Sequence, residues 1–145
     1  MPDKKLIVVG SVHETKKSYF DKLKKSAKSN IKFITNITNK DLIKLYSHAE
    51  CVIQTSSNED FGLVPIEAMA SGKPCIAVNE GGFRETINKK TGILINEPYV
   101  DNLVKAVENF EANKFNKTDL LNRAKVFSDE IFIEKIRKII DNYIT

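Results

Sequence analysis

Short apolar runs alternate along the chain with longer segments whose apolar residues recur at helical spacing. The runs predict five β-strands, at residues 5–9, 31–34, 51–54, 75–78 and 93–95. The longer segments predict six helices, at residues 16–29, about 41–46, 64–71, 100–110, 118–126 and 130–144. Strands that alternate with helices in this way are typical of an α/β fold. We therefore predict a doubly wound, Rossmann-like and mostly parallel sheet with helices on both faces.

Capping residues support several of these boundaries. Asn39 fits the cap of the second helix, with Asp41 in its first turn. Pro65 suits the first turn of the third helix, and Gly72 followed by Pro74 suits its end. The chain shows no repeats, low-complexity segments or internal linkers.

The length of 145 residues indicates one domain spanning residues 1–145, with a core that needs no stabilising disulfides. No stretch approaches the roughly 20 apolar residues of a membrane span, and Leu6–Val9 is too short for a signal peptide. We expect a cytoplasmic protein with at most peripheral membrane contact. Cys51 and Cys75 lie inside apolar runs, so we expect buried thiols without a disulfide.

The net charge of +4 is unevenly distributed: residues 1–58 hold eleven Lys against five acids, and residues 59–145 hold twelve basic against fourteen acidic residues. Twenty of the basic residues are Lys and three are Arg, the residue favoured for reading bases, so we expect no nucleic-acid partner. The NAD-binding motif GxGxxG is absent. The P-loop is absent as well, since the Gly-Lys pair at Gly72-Lys73 is followed by Pro74. Two His and two scattered Cys make a metal site unlikely on composition, and we predict none.

Residues 55–85 concentrate polar and glycine residues at two successive strand-to-helix loops. In a doubly wound sheet, ligands bind beyond the carboxyl ends of the strands, where these loops lie. Glu59 and Asp60 precede Gly62 at a predicted helix N-terminus, whose N–H groups and dipole suit phosphate or sugar oxygens. Glu67 lies about one turn inside that helix, where its carboxylate suits the vicinal hydroxyls of a ribose.

Simpler interpretations of these residues remain open at this point. Glu59 and Asp60 are equally suited to capping the helix. The segment 68–70 (Ala-Met-Ala) fits close helix-on-sheet packing. Gly81-Gly82, after Glu80, indicates either a turn or a close approach of the backbone to a ligand or a neighbouring domain. Phe61 alone is more typical of a core than of a stacking platform.

Together these residues resemble the donor-binding signature of retaining glycosyltransferases of the GT-B fold, family 4 (group 1). The shared features are two acids eight positions apart, Phe-Gly-Leu between them, Glu-Ala-Met-Ala-x-Gly-x-Pro, and Gly-Gly-x-x-Glu. Here they are Glu59, Phe61-Gly62-Leu63, residues 67–74 and residues 81–85. The match looks closest to mannosyltransferases of surface-polysaccharide or lipid-linked glycan biosynthesis.

The resemblance implies a role for each matching residue. Glu59, the catalytic residue in this scheme, borders the donor sugar and its developing positive charge. The backbone amides of Phe61, Gly62 and Leu63 meet sugar hydroxyls and phosphate. Glu67 binds the ribose diol. The donor would be a nucleotide sugar such as GDP-mannose or UDP-glucose, with no cofactor and no obligatory metal. Catalysis would be mainly electrostatic.

The resemblance also implies departures from the family pattern. Ile37 and Thr38 occupy the loop where the family places the nucleobase, although no motif marks them. The family's first strand-helix unit, with a Gly-Arg turn and a Lys that grip the diphosphate, has no counterpart before Lys4. Its absence predicts a gap between the strands at residues 6–9 and 51–54. The N-terminal acceptor domain also has no counterpart.

We therefore expect the donor-binding domain of a hexosyltransferase, one half of a GT-B fold, inactive as an isolated chain. The missing N-terminal acceptor domain, or a partner chain, would complete it. The alternative is a non-catalytic nucleotide-sugar-binding subunit that completes a partner glycosyltransferase. We also expect part of the apolar face of the last helix to lack a partner.

Overall fold

The computed structural model describes residues 1–144, which fold as two compact units divided after Ile43. In the first unit, strands β1 (Leu6–Val9) and β2 (Ile31–Ile34) form a parallel two-stranded sheet in which Leu6 faces Ile31. A 3-10 turn at Glu14–Lys16 leads into helix α1 (Lys17–Ser26). The Phe20 ring of α1 packs edge-on against Phe33 of β2, with ring centroids 5.5 Å apart.

Helix α1 ends three residues before the predicted boundary at residue 29. The Asn30 side chain donates hydrogen bonds to the carbonyls of Met1 and Lys4, and so fixes the turn that starts β2. Ala27 is already extended, with φ −70° and ψ 136°. The sequence pattern does not predict this early end of α1, because it depends on contacts between residues nearly thirty positions apart.

Helix α2 (Asn39–His48) crosses the boundary between the units. The prediction that Asn39 caps this helix is wrong, since Asn39 is its first helical residue. Thr38 has the capping role instead: its hydroxyl accepts the Asp41 N–H at 3.2 Å and donates to the Asp41 carboxylate at 2.7 Å.

In the second unit, β3 (Val52–Gln54), β4 (Cys75–Val78) and β5 (Gly92–Ile95) form a parallel sheet in the order β3-β4-β5. Its helices are α3 (Leu63–Ala70), α4 (Phe83–Thr86), α5 (Val100–Glu108), α6 (Lys117–Lys125) and α7 (Asp129–Ile144). A second 3-10 turn lies at Ala112–Lys114. Helix α4 and both 3-10 turns were not predicted, because each is too short to show a helical period.

The buried strand β4 is covered on both faces. Cys75 and Ala77 pack with Phe83 and Ile87, on and just after α4. The alternate residues Ile76 and Val78 pack with Ile95 and with half-buried side chains that include Leu103, Ala106 and Val107 of α5. Successive side chains of a strand point to opposite faces, so this unit has helices on both sides of its sheet. The predicted fold class is confirmed.

All strand pairs are parallel, as predicted, but the strands pair in two sheets and not in one. The division lies between β1-β2 and β3-β4-β5, where the resemblance implies an additional central strand. With β2 as its strand neighbour, β1 keeps Leu6, Ile7, Val8 and Val9 between 37% and 46% exposed.

Helix α3 packs mainly on α6 through a small apolar cluster. Met69 is fully buried and contacts Leu120 and Ala124, with Ile66 and Phe115 at the margin. Ala68 is buried and Ala70 is exposed. Residues 68 and 69 are therefore packed in the core, as expected, but the apolar cluster of Met69 is formed with helix α6 and not with the predicted sheet.

Neither cysteine forms a disulfide: Cys51 is half-buried and Cys75 is buried, which agrees with the prediction of two thiols. Burial raises the pKa of the Cys75 thiol to about 12, so the thiol stays protonated at neutral pH. No helix within residues 1–144 is long and apolar enough to cross a membrane.

Candidate functional site

Two loops meet at the carboxyl-terminal edge of the β3-β4-β5 sheet. Residues 55–62 connect β3 to α3, and residues 79–82 connect β4 to α4. Because β3 and β4 are neighbouring parallel strands, their following loops lie side by side. Between them is an open cleft of about 600 Å³. The residues that line it are Asn58, Glu59, Asp60, Glu80, Gly81, Gly82, Arg84 and Glu85.

The two glycines allow the loops to touch. Gly82 donates its N–H to the Glu59 carbonyl at 2.8 Å. A Cβ on Gly82 would lie 2.5 Å from the Phe61 backbone, and one on Gly81 would lie 2.2 Å from the Glu59 carbonyl oxygen. Gly81-Gly82 therefore forms a turn, as one interpretation expected, and its backbone lies against the neighbouring loop of the same unit. A close approach to a ligand stays a prediction.

The half-buried Glu59 carboxylate points toward the start of α3. Its Oε1 accepts the Gly62 N–H at 3.2 Å, and Ser56 Oγ donates to its Oε2 at 3.5 Å. Glu59 therefore holds the N-cap residue Gly62, but among the described residues no side chain caps the first turn of α3, so capping of the helix by Glu59 or Asp60 is not observed. Glu59 also lines the cleft and stays in the candidate site.

Gly62 is the N-cap of α3 and adopts a left-handed φ of +85°. A Cβ there would lie 3.0 Å from the Phe83 ring. Its N–H is engaged by Glu59, so of the predicted amides this one already has an internal acceptor. The N–H groups of Leu63 and Val64 belong to the first turn of α3, which has no intrahelical acceptor for them. The positive end of the helix dipole is available there.

Glu67, one turn into α3, is exposed and forms a hydrogen bond that was not predicted. Tyr46 of α2 donates its hydroxyl to Glu67 Oε2 at 2.8 Å. Burial, and then the hydrogen bond to Glu67, raise the pKa of Tyr46 well above its usual value of 10.0. Tyr46 therefore remains a donor at neutral pH and orients the Glu67 carboxylate through Oε2.

Arg123 of α6 holds the end of helix α4, which follows the second loop. Its Nε donates to the Thr86 carbonyl at 3.0 Å and its Nη2 donates to the Glu85 carbonyl, at the end of α4. The guanidinium lies 4.8 Å from the centroid of the Phe127 ring, which meets Phe61 edge-on with centroids 6.0 Å apart. Phe61 itself is 46% exposed, so it belongs to the rim of the site and not to the core.

Sequence reasoning missed Tyr46 and Arg123. The sequence places Tyr46 only at the end of the helix predicted at about residues 41–46. For Arg123 a signal existed, since it is one of three Arg in a chain with 20 Lys, and Arg is favoured for multiple planar hydrogen bonds.

Charge in the cleft is mainly negative. Arg84 is the cation among its lining residues, and its Nε and Nη2 are engaged with the Asn79 carbonyl at 2.9 and 2.6 Å. The acidic side chains there are those of Glu59, Asp60, Glu80 and Glu85. Such a cleft suits a ligand rich in hydroxyl donors, while a phosphate would be received by backbone N–H groups and the α3 dipole.

Ile37 and Thr38 lie in the first unit, at the start of α2. Ile37 is half-buried, and the Thr38 hydroxyl is engaged in capping α2. Their assignment to a nucleobase loop stays a prediction. In residues 1–144 no group of three His, Cys, Asp or Glu is arranged to hold a metal ion.

The family model described as glycosyl transferases group 1 matches residues 1–130 of this chain. Among curated proteins, the human alpha-1,3/1,6-mannosyltransferase ALG2 is 33% identical over 93% of this chain and 36% of its own length. The Dictyostelium discoideum protein of the same name is 39% identical over 73% of this chain and 24% of its own length. The chain thus spans about a third or less of the curated relatives it matches.

Solved structures share the fold at low sequence identity. Anabaena Alr3699/HepE, crystallised with UDP and glucose, superposes with a TM-score of 0.76 at 23% identity, over 94% of this chain and 40% of that one. Sucrose-phosphate synthase of Thermosynechococcus elongatus gives a TM-score of 0.79 at 22% identity, over 97% of this chain and 38% of that one. A glycosyltransferase of Rickettsia africae gives 0.78 at 23% identity, over 99% of this chain and 41% of that one.

Proposed function

Because this chain belongs to the glycosyl transferases of group 1, we propose that it is the donor-binding part of a retaining hexosyltransferase. The enzyme moves a mannose- or glucose-type hexose from a nucleotide sugar to a glycan or lipid-linked acceptor. The relatives named as mannosyltransferases favour mannose. The observation that carries the proposal is the acidic cleft lined by Glu59, in the loop that leads into α3, with Glu67 one turn inside that helix.

The two carboxylates have different roles in this proposal. Glu67 accepts hydrogen bonds from the ribose hydroxyls through Oε1, while Tyr46 holds Oε2. Glu59 faces the donor sugar, where its negative charge stabilises the positive charge that develops as the glycosidic bond to the diphosphate breaks.

The diphosphate is received by the backbone of residues 61–63 and by the α3 dipole. Phe61, Gly62 and Leu63 supply these N–H groups, and Gly62 exchanges its bond to Glu59 for one to the ligand. Ile37 and Thr38 are assigned to the nucleobase. The reaction in this form uses no cofactor and no metal.

Calorimetry with GDP-mannose, GDP, UDP-glucose and UDP tests the proposal. We expect one nucleotide and its sugar derivative to bind. Glu67→Ala should weaken both by about tenfold, because a hydrogen bond to a charged group contributes about 1.5 kcal/mol or more. Glu108→Ala, an exposed acid on α5, is the matched control and should bind like the wild type. The absence of binding by all four compounds would contradict the proposal.

Transfer itself is expected to need residues outside this polypeptide. The chain spans 36% of the human relative's length, and we propose that an N-terminal acceptor domain or a partner chain supplies the rest. We expect the purified 145-residue chain to bind donor without transferring sugar, and product formation measured by mass spectrometry would contradict this.

The second candidate is a non-catalytic nucleotide-sugar-binding subunit that completes a partner glycosyltransferase. The exposed apolar side chains of β1 and α7 favour it, because such surfaces mark interaction sites. One structural neighbour was solved as the GtfA/B complex, with a TM-score of 0.72 at 19% identity. A strictly monomeric chain by light scattering would count against this candidate.

A further inference from the structure

Glu80 makes an unusual contact across the cleft. Its half-buried carboxylate accepts the backbone N–H of Asn58, 22 residues away, through Oε1 at 2.6 Å. Hydrogen bonds to an ionised acceptor are shorter and about twice as strong as neutral ones. Glu80 therefore connects the β4–α4 loop to the turn that precedes Glu59.

The turn at Asn58 needs this support. Asn58 has a left-handed φ of +57°, a conformation that residues other than glycine seldom adopt, although Asn tolerates it best. Such backbone persists where surrounding contacts hold it. The Glu80 carboxylate supplies one such contact directly to the strained residue.

Two hydrogen bonds, called tethers below, therefore hold the chain at Glu59 and at the residue before it. Both come from residues 80–82. The Glu80 side chain holds residue 58, and the Gly82 N–H holds the Glu59 carbonyl at 2.8 Å. Only the first tether is made by a side chain, so it can be removed by substitution while the backbone contact remains.

We propose that Glu80 is a positioning residue for the donor sugar: its carboxylate holds residues 55–62 so that Glu59 faces the cleft. This rests on the proposed role of Glu59, and it goes beyond that role because Glu80 acts through the loop and not on the ligand. Removing Glu80 loosens the Glu59 loop while the nucleotide contacts of Glu67, on helix α3, remain.

The test compares Glu80→Ala, Glu80→Gln and the control Glu108→Gln in the full chain. Glu108→Gln removes one exposed carboxylate of the same unit that does not line the cleft and does not touch Asn58. Amide hydrogen exchange by NMR without ligand measures the loop. Affinities for GDP-mannose against GDP, and for UDP-glucose against UDP, separate the sugar from the nucleotide.

We expect Glu80→Ala to speed exchange at the Asn58 amide by about tenfold, the loss of one charged hydrogen bond. The nucleotide sugar should bind about tenfold more weakly, with affinity for the nucleotide nearly unchanged. Glu80→Gln, which keeps a neutral acceptor, should recover part of both losses, and Glu108→Gln should match the wild type.

Three results would overturn the proposal: unchanged exchange at Asn58 in Glu80→Ala, an equal loss of affinity for sugar and nucleotide, or the same effects from Glu108→Gln. A general loss of structure would lower the melting temperature and accelerate exchange throughout the β4 core. In that case the exchange rate of the Asn58 amide in Glu80→Gln, which keeps the acceptor, tests the proposal. If the wild type binds no nucleotide sugar, the proposed function fails, while faster exchange confined to residues 58–62 still supports Glu80 as the residue that holds the loop.

Discussion

Tyr46 donates its phenolic hydrogen to one oxygen of the Glu67 carboxylate at 2.8 Å. Burial and this bond raise the pKa of Tyr46 above 10.0. The folded state therefore holds the phenolic proton more tightly than the unfolded chain does. The resulting stabilisation is fully present below pH 10 and is lost as the pH rises further through the folded-state pKa.

Replacing Tyr46 with Phe tests this titration. At pH 7 we expect a loss of about 1 kcal/mol in unfolding free energy, the typical contribution of one hydrogen bond. Above pH 10 the wild type should lose stability faster than Tyr46→Phe, so that the difference between them shrinks. Urea unfolding at intervals from pH 7 to pH 11 measures this difference in unfolding free energy. A difference that stays constant over this range would show that Tyr46 does not titrate as described.

At the scale of elements, the site depends on two strand-to-helix loops packed backbone against backbone. Gly82 lies in the right-handed helical region, with φ −61°, so its requirement for glycine comes from space and not from conformation. The Phe61 backbone occupies the place where a side chain would be. The loops meet because β3 and β4 are adjacent parallel strands.

Gly82→Ala should therefore separate the loops. A Cβ 2.5 Å from backbone atoms requires the main chain to shift, and we expect a cost of about 1–3 kcal/mol in unfolding free energy, typical of overpacking. Donor binding should weaken more than stability alone explains. Gly10→Ala, where a Cβ meets nothing within 4 Å, is the control for urea unfolding and calorimetry. Wild-type behaviour of Gly82→Ala would mean that the loops do not need this contact.

At the scale of the whole molecule, α7 presents much of its apolar side to solvent. Its exposed apolar side chains are Phe132, Ile133, Ile136, Ile139, Ile140 and Tyr143, between 40% and 87% exposed. Exposure of this kind agrees with the expectation that part of this face lacks a partner. Contiguous apolar surface favours association.

Substituting Phe132 and Ile139 with Gln should reduce that association. Both side chains are more than half exposed, at 64% and 53%, so little core packing is lost and the melting temperature should change by only a few degrees. Light scattering over a concentration series should show less self-association, and binding of the dye ANS should fall. Arg137→Gln, on another side of α7, should change neither. Identical dye binding in all three proteins would contradict an accessible apolar face.

The sequence predicted the elements that have a clear local pattern. The apolar runs located all five strands to within one residue, and helical spacing located α3, α5, α6 and α7 with small errors at their ends. Errors occurred where distant contacts act, as at α1, which ends early because Asn30 is held by Met1 and Lys4. The capping of α2 was displaced by one residue, from Asn39 to Thr38.

For the site, the sequence by itself determined which residues stand in the first loop and the helix after it, because order along the chain and strand ends place Glu59 and Gly62 in that loop and Glu67 in α3. Only the tertiary structure decided their partners. Tyr46 meets Glu67 across 21 residues, Glu80 meets Asn58 across 22, and Arg123 meets Thr86 across 37. Hydrophobic periodicity reports which side of an element is buried, but such pairs depend on which strands are neighbours and where their loops converge.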